Sequence, residues 1–164
     1  MQGVSGFADL VAGGGVAPSL VTTDKAGLLQ VLAGMAAAET GLSASLILER
    51  VRERETLGST GFGGGAAIPH ARIPGLDQVV VVLARLAAPI DYGALDGDPV
   101  DIAVLLLSPE GAGADHLKAL ARISRSLRDP DVLDAIRAAG DSDALLQAIG
   151  PGAAVRLPLR PVPA

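Results

Sequence analysis

The two histidines are the only side chains of this cysteine-free chain whose unperturbed charge changes near neutral pH, and each sits where chemistry could use it. His70 follows Ile68-Pro69 at the end of the glycine-rich run Gly58-Ser59-Thr60-Gly61-Phe62-Gly63-Gly64-Gly65-Ala66-Ala67. An imidazole with an ordinary pKa of about 6.5 keeps a free lone pair on one ring nitrogen at neutral pH and is a good nucleophile. The glycines between Gly58 and Gly65 let the backbone take positive φ or approach another molecule closely, and Pro69 pushes Ile68 into an extended conformation. The reading is a rigid, open pedestal for one histidine. His116 lies in the first turn of an expected helix, just past a strand ending near Ser108. Helix N-termini carry unpaired N–H groups and partial positive charge, which suit an anion such as a phosphoryl group. If a sheet sets the glycine run beside this helix start, one imidazole attacks while the other binds oxygen. Arg54 and Arg72 would add positive charge, and Ser59 and Thr60 are candidates to donate to phosphoryl oxygens. Each has a plainer role to set beside this one: Arg54 in a solvated charged face with Glu49, Arg50 and Glu53, and Ser59 and Thr60 as stabilisers of their own turn.

The elements that must position these residues are legible from periodicity. Thr23 or Asp24 caps a helix to about Ala38 whose apolar side is Leu28, Leu29, Val31, Leu32 and Met35, and Gly41 ends that connection. Ser43 caps a second helix through about Glu55, apolar at Leu46, Ile47 and Val51. Val79 to Ala87 and Val100 to Leu107 are β-rich apolar runs of the kind buried on both faces, with a turn at Asp96-Gly97-Asp98 between them. Asp115 to Arg128 returns to helical spacing, Asp129-Pro130 starts another helix, and Asp141 or Ser142 starts the last, which ends at Gly150. Pro151 to Ala164 is proline-rich and poor in core candidates, so residues 151–164 are expected to form a mobile tail. Helices alternating with strands point to a single α/β domain whose helices cover the sheet.

Composition excludes several function classes. At 164 residues and 49% hydrophobic content the chain can bury a sizeable core, yet aromatics make up only 2%, so that core is aliphatic. A net charge of -5 argues against a nucleic-acid partner. Without cysteine there is no disulfide, thiolate catalysis or Cys-zinc site. Met1 to Leu20 lacks the positively charged start of a signal peptide, and no stretch approaches the roughly 20 apolar residues of a membrane span, so a cytoplasmic location without membrane insertion is expected. Gly61 to Ala66 formally matches a dinucleotide fingerprint, but Pro69 forbids the long helix that must begin inside it. There is no P-loop lysine and no Gly-x-Ser-x-Gly elbow. Zinc on His70, His116 and Asp115 stays open as a minor alternative. Phosphate carried on His70 is the principal reading, with no cofactor and no metal expected.

Arg54-Glu55-Thr56-Leu57-Gly58-Ser59-Thr60-Gly61 through Ile68-Pro69-His70 resembles the signature of the mannitol/fructose-type enzyme IIA domains of the bacterial phosphoenolpyruvate-dependent phosphotransferase system. The Leu57-Gly58-Ser59-Thr60 form is most similar to the nitrogen-regulatory branch. Pro89-Ile90-Asp91-Tyr92, Asp96-Gly97-Asp98-Pro99-Val100-Asp101, His116 to Ala121 and Leu127-Arg128-Asp129 agree with it in order and spacing. The resemblance implies that His70 accepts a phosphoryl group from a nitrogen-type histidine phosphocarrier protein and that His116 and Arg54 line the site. It also implies an α/β fold with a central mixed sheet flanked by helices over roughly residues 7–150, and regulated partners such as sensor kinases or transporters. The alternative within the family is a sugar-specific enzyme IIA that passes phosphate to a IIB cysteine. Two positions depart from the family pattern: Gly64, where Asn is usual and whose loss removes an ordering amide, and Ala71, where Gly is frequent. Nothing resembles an attached IIB or IIC domain, so a free-standing IIA is expected.

Overall fold

The computed structural model describes residues 6–150. The tail expected to be mobile, residues 151–164, lies outside the described residues. Six strands, β1 (Val11–Leu20), β2 (Gly61–Gly63), β3 (Ala66–Ala67), β4 (His70–Ile73), β5 (Val80–Ile90) and β6 (Val100–Pro109), form one mixed sheet in the order β1-β5-β6-β3-β2, with β4 also paired to β6. Five helices, α1 (Lys25–Thr40), α2 (Ala44–Glu55), α3 (Gly113–Leu127), α4 (Pro130–Ala138) and α5 (Ser142–Ile149), cover it.

Side-chain alternation in the central strands builds two cores. On β6, Ala103, Leu105 and Leu107 face one side with Val82 and Ala84 of β5, where Leu28 and Leu32 of α1 and Ile47 and Val51 of α2 cover them. Ile102, Val104 and Leu106 face the other side with Val81 and Leu83, under Ile123 and Leu127 of α3, Ile136 of α4 and Leu145 and Ile149 of α5. A strand buried on both faces must be apolar at every position, and β6 is so from Ile102 to Leu107. The apolar-run reading of the two central strands is therefore correct, although β5 and β6 extend through Pro89 and Pro109 rather than stopping before them.

The helix starts follow from capping chemistry. Asp24 accepts the Gly27 N–H at 2.8 Å, Ser43 the Leu46 N–H at 3.3 Å and Asp141 the Ala144 N–H at 2.8 Å, while Asp129 accepts from Asp131 at 2.9 Å with Pro130 in the first turn. Sequence periodicity gives no sign of β1, whose Gly13-Gly14-Gly15 and Pro18 are poor strand formers. It forms at the sheet edge, parallel to β5, where a missing N–H and small side chains cost least. Within the glycine-rich run, the pedestal is itself β-structure: β2 and β3 form a two-strand turn, and β3 then β4 pair successively with the same edge of β6.

Gly65, with φ +82°, marks the tightest point of that run. A Cβ there would collide with the Arg137 guanidinium and meet Asp101 Oδ1 at 3.0 Å. Gly65→Ala should therefore lower the unfolding free energy by at least the ~1–2 kcal/mol of a left-handed non-glycine residue. Gly34→Ala, at an exposed α1 position with nothing within 4 Å of the added carbon, should raise it by about 1 kcal/mol. Thermal unfolding of the two variants, shifted in opposite directions, checks both.

Candidate active site

His70 opens β4 and is held by its backbone. Its Cα partner on β6 is Leu106, whose N–H also bonds the Pro69 carbonyl at 3.0 Å. The half-buried ring places Nδ1 2.7 Å from the Ile68 carbonyl. A carbonyl can only accept, so Nδ1 carries the proton and Nε2 keeps its lone pair. Burial, the largest influence, holds the His70 pKa below the ordinary histidine value; the Ile68 hydrogen bond opposes it, Arg54 lowers it further and Glu55 raises it. The result is a neutral imidazole with one defined nucleophilic nitrogen.

His116 comes to it from the helix that follows β6. That strand ends at Pro109, a short connection follows, and α3 carries His116 back in its first turns, with its N–H bonded to Ala112 O at 2.9 Å. The two ring centroids lie 5.5 Å apart at an interplanar angle of 52°. His116 is buried, and its Nδ1 is 2.7 Å from the hydroxyl of Ser108, a fully buried residue of β6. Desolvation first, then the charges of His70 and Arg72, hold its pKa down. Arg50, Glu53, Arg54, Leu57, His70, Ala71, Arg72 and His116 line an open cleft of about 380 Å³.

The expected residues divide. His70, His116, Arg54 and Arg72 do converge on the cleft. Arg54 donates to the Gly58 carbonyl at 3.1 Å, tying the end of α2 to the glycine run. In the charged face of α2 the ion pairs run from Arg50 to Glu53 and Glu110, and Arg54 joins none of them. Ser59 and Thr60 do not line the cleft. Ser59 Oγ accepts the Gly61 N–H at 3.1 Å, and the buried Thr60 hydroxyl bonds Glu55 and lies 2.9 Å from the Tyr92 hydroxyl. These are the turn-stabilising roles. Of the start of α3, His116 lines the cleft, while Ala112 and Asp115 line a second cavity with Asp9 and Asp77. Among the described residues no three His, Asp or Glu side chains gather as metal ligands, and Asp115 does not line the cleft with His70 and His116.

Sequence reading missed the carboxylate that organises the loop. Glu55, 7% exposed at its side chain, pairs with Lys25 at 2.8 Å, accepts from Thr60 N at 3.2 Å and Tyr92 OH at 3.2 Å, and bonds the Thr60 hydroxyl. Lys25 also sits 4.4 Å from the Tyr92 ring centroid. Burial opposes the Glu55 charge, but the Lys25 and Thr60 bonds outweigh it and its pKa falls below the ordinary value. The available signal was an acidic residue at the end of α2 with a threonine five residues on. The glycine run is pinned further along: Gly64 N–H donates to Asp96 Oδ2 at 3.2 Å, Gly64 O accepts from Arg137 at 2.7 Å, and Arg137 is bidentate to Asp101 at 2.9 Å. Gly64 has φ +69°, the left-handed conformation that Asn tolerates best among other residues, so the substitution keeps the geometry and backbone contacts supply the order.

With this geometry in hand, the chain can be set beside known proteins. Residues 15–150 match the family model described as "Phosphoenolpyruvate-dependent sugar phosphotransferase system, EIIA 2". The chain belongs to this family. It is 49% identical over 137 residues to the nitrogen regulatory protein of Bradyrhizobium diazoefficiens, covering 84% of this chain and 90% of that one. Among solved structures it is similar to the nitrogen regulatory protein IIA-Ntr of Neisseria meningitidis, with TM-score 0.82 and 26% identity over 87% of this chain and 97% of that one. The fold is shared with the mannitol IIA of Escherichia coli, at TM-score 0.70 and 14% identity over 83% and 96%. Like them it is a IIA domain, and no helix among the described residues is long and apolar enough to cross a membrane.

Both histidines should titrate below about pH 6.5 in an NMR titration, and Arg54→Ala should raise the His70 value. The folded pKa values of His70, His116 and Glu55 all lie below their unfolded values. The unfolded chain therefore binds more protons, and stability falls as pH drops below about 6.5 and again below about 4.5. Tyr92 is displaced upward by burial, so its contribution is lost only as pH rises above about 10. A urea midpoint that climbs from acid to neutral pH and declines in strong base checks the signs.

Proposed function

We propose that this protein accepts a phosphoryl group on Nε2 of His70 from a nitrogen-type histidine phosphocarrier protein and acts as a phosphorylation-dependent regulator. The observation that carries this reading is the Nδ1–H bond to the Ile68 carbonyl, which leaves a neutral imidazole with its lone pair on the nitrogen facing away from the backbone. In the transfer, that lone pair attacks phosphorus in line with the donor's P–N bond. The new P–N bond forms as the old one breaks, and the donor imidazole leaves with the electron pair. His70 keeps its Nδ1 proton throughout, and the positive charge that develops on the ring is shared with Ile68 O. Positioning and charge stabilisation do most of the catalysis in phosphoryl transfer. Arg54, Arg72 and an N–H of His116 are the groups at hand to bind the equatorial oxygens. One P–N bond replaces another, so the step is nearly reversible and the protein is a carrier rather than a turnover enzyme.

Two features support a protein rather than a small molecule as donor. Leu57 lines the cleft and is 81% exposed, and Leu117, next to His116, is 63% exposed. Large apolar side chains held in water around a charged site are the contacts a macromolecular partner covers. The regulatory assignment rests on the nitrogen regulatory relatives and on the Leu57-Gly58-Ser59-Thr60 sequence. The regulated proteins would be sensor kinases or transporters that distinguish the two phosphorylation states.

Incubation with phosphoenolpyruvate, enzyme I and the phosphocarrier should give an acid-labile, base-stable phosphate that His70→Ala abolishes; undiminished labelling of that variant would end the proposal. His116→Ala should slow transfer by roughly 10²-fold, the usual cost of one oxyanion donor. Leu57→Ser and Leu117→Ser should raise the donor concentration at half-maximal rate while leaving the saturated rate near that of the unaltered protein. Rapid discharge of the phosphate to a fructose- or mannitol-type IIB cysteine would move the assignment to the sugar-specific reading.

A further inference from the structure

Ser108 follows the apolar run Ile102 to Leu107 in β6 and, unlike Asp101 at the start of that strand, is fully buried. Its hydroxyl lies 2.7 Å from His116 Nδ1, and among the described residues no other hydrogen bond to that oxygen is present. The geometry allows two arrangements. If His116 Nδ1 carried the proton and donated, the serine hydroxyl hydrogen would be left buried with nothing to receive it, and the site would carry the full desolvation cost of that group. If Ser108 donates, its hydrogen and the Nδ1 lone pair satisfy each other and nothing is orphaned.

We infer that Ser108 is a positioning residue that fixes His116 in the tautomer protonated at Nε2, so that its ring presents an N–H donor to the cleft. The rest of the site is arranged to use that tautomer. The ring is fastened at Nδ1 to the sheet interior, which leaves its Nε2 edge for the cleft it lines with His70. His70 is fixed in the opposite sense by Ile68, protonated at Nδ1 and bare at Nε2. The two rings thus present one acceptor and one donor, a nucleophile and an oxygen-binding group, and the strand that aligns the first also carries the residue that sets the second. Ser108 faces Arg72 across the β4–β6 register, so the same rung of the ladder places a cleft cation. The kinetic part of this inference rests on the phosphoryl-acceptor reading; the tautomer does not.

Long-range proton–nitrogen NMR correlation of the imidazoles, at a pH above the titration of both rings, tests the tautomer directly. His116 is expected as the Nε2–H form, and Ser108→Ala is expected to turn it into a mixture. Phosphoryl transfer from the phosphocarrier should slow about tenfold in Ser108→Ala, the effect of losing one ordinary hydrogen bond. The same substitution should cost nothing further in a His116→Ala background, since its effect acts through that ring. Ser108→Cys, which keeps a weaker donor in nearly the same volume, should fall between and serves if the alanine variant does not fold. An Nδ1–H tautomer in the unaltered protein, or equal slowing in both backgrounds, would overturn the inference. Failure of His70 labelling would remove the acceptor reading and leave the spectrum to decide this one.

Discussion

The backbone ladder that joins His70, Ala71, Arg72 and Ile73 to Leu106, Leu107, Ser108 and Pro109 sets the geometry of the whole site. A histidine on a glycine-rich loop would sample many orientations, and an in-line attack tolerates few of them. Placing His70 as the first residue of a short strand on β6 anchors the loop to a central strand buried on both faces. The same strand then delivers Ser108 and, through the short connection to α3, His116. A disturbance of β6 should therefore reach both rings together, whereas a change on the apolar side of α5 touches the core alone.

The second constraint is a buried charge in a protein that is otherwise aliphatic. Glu55 closes α2 with its carboxylate shared among Lys25, Thr60 and Tyr92, so one anion ties α1, α2, the start of the glycine run and the segment after β5. Buried charges are stabilising only when paired and fully hydrogen-bonded, and removal of one partner strands the others. Glu55 and Arg54 also act on the His70 ring with opposite signs, the first raising and the second lowering its pKa. Burial decides the balance toward the neutral ring that a nucleophile requires.

Sequence legibility followed the strength of local signals. The helices were readable because Asp24, Ser43, Asp129 and Asp141 cap them and their apolar faces repeat at helical spacing; β5 and β6 were readable as continuous apolar runs. Strand β1 was not, since Gly13 to Gly15 and Pro18 suppress the pattern and only pairing with β5 creates the strand. The glycine run was legible as a site and not as β2, β3 and β4, because two- to four-residue strands exist only through their partners. His70, His116, Arg54 and Arg72 were found from residue type at element junctions. Ser59 and Thr60 were drawn toward the phosphoryl group by the same logic, yet their hydroxyls are taken by Gly61 and Glu55, a competition that sequence does not reveal. Ser108 carried a usable signal, a lone hydroxyl closing a buried apolar run, and buried polar groups nearly always have a partner.

In the proposed role, one site would serve as both acceptor and signal. Before transfer the cleft presents two neutral imidazoles and two arginines beside the exposed Leu57, with the exposed Leu117 next to His116 in the chain. A phosphoryl group on His70 would add close to two negative charges at that spot, met by Arg54 and Arg72 within the cleft but visible at its open mouth. A partner that relies on the apolar rim and on the uncovered arginines would lose both the charge match and the desolvation gain, while one carrying its own cations would gain them. Because the pedestal is pinned by Asp96, Arg137 and Glu55, the proposed change would be carried by charge at a fixed surface without rearrangement of the fold. In the proposed role, discrimination between the two states is then a difference in electrostatic complementarity at one face, and it should weaken as salt screens that face.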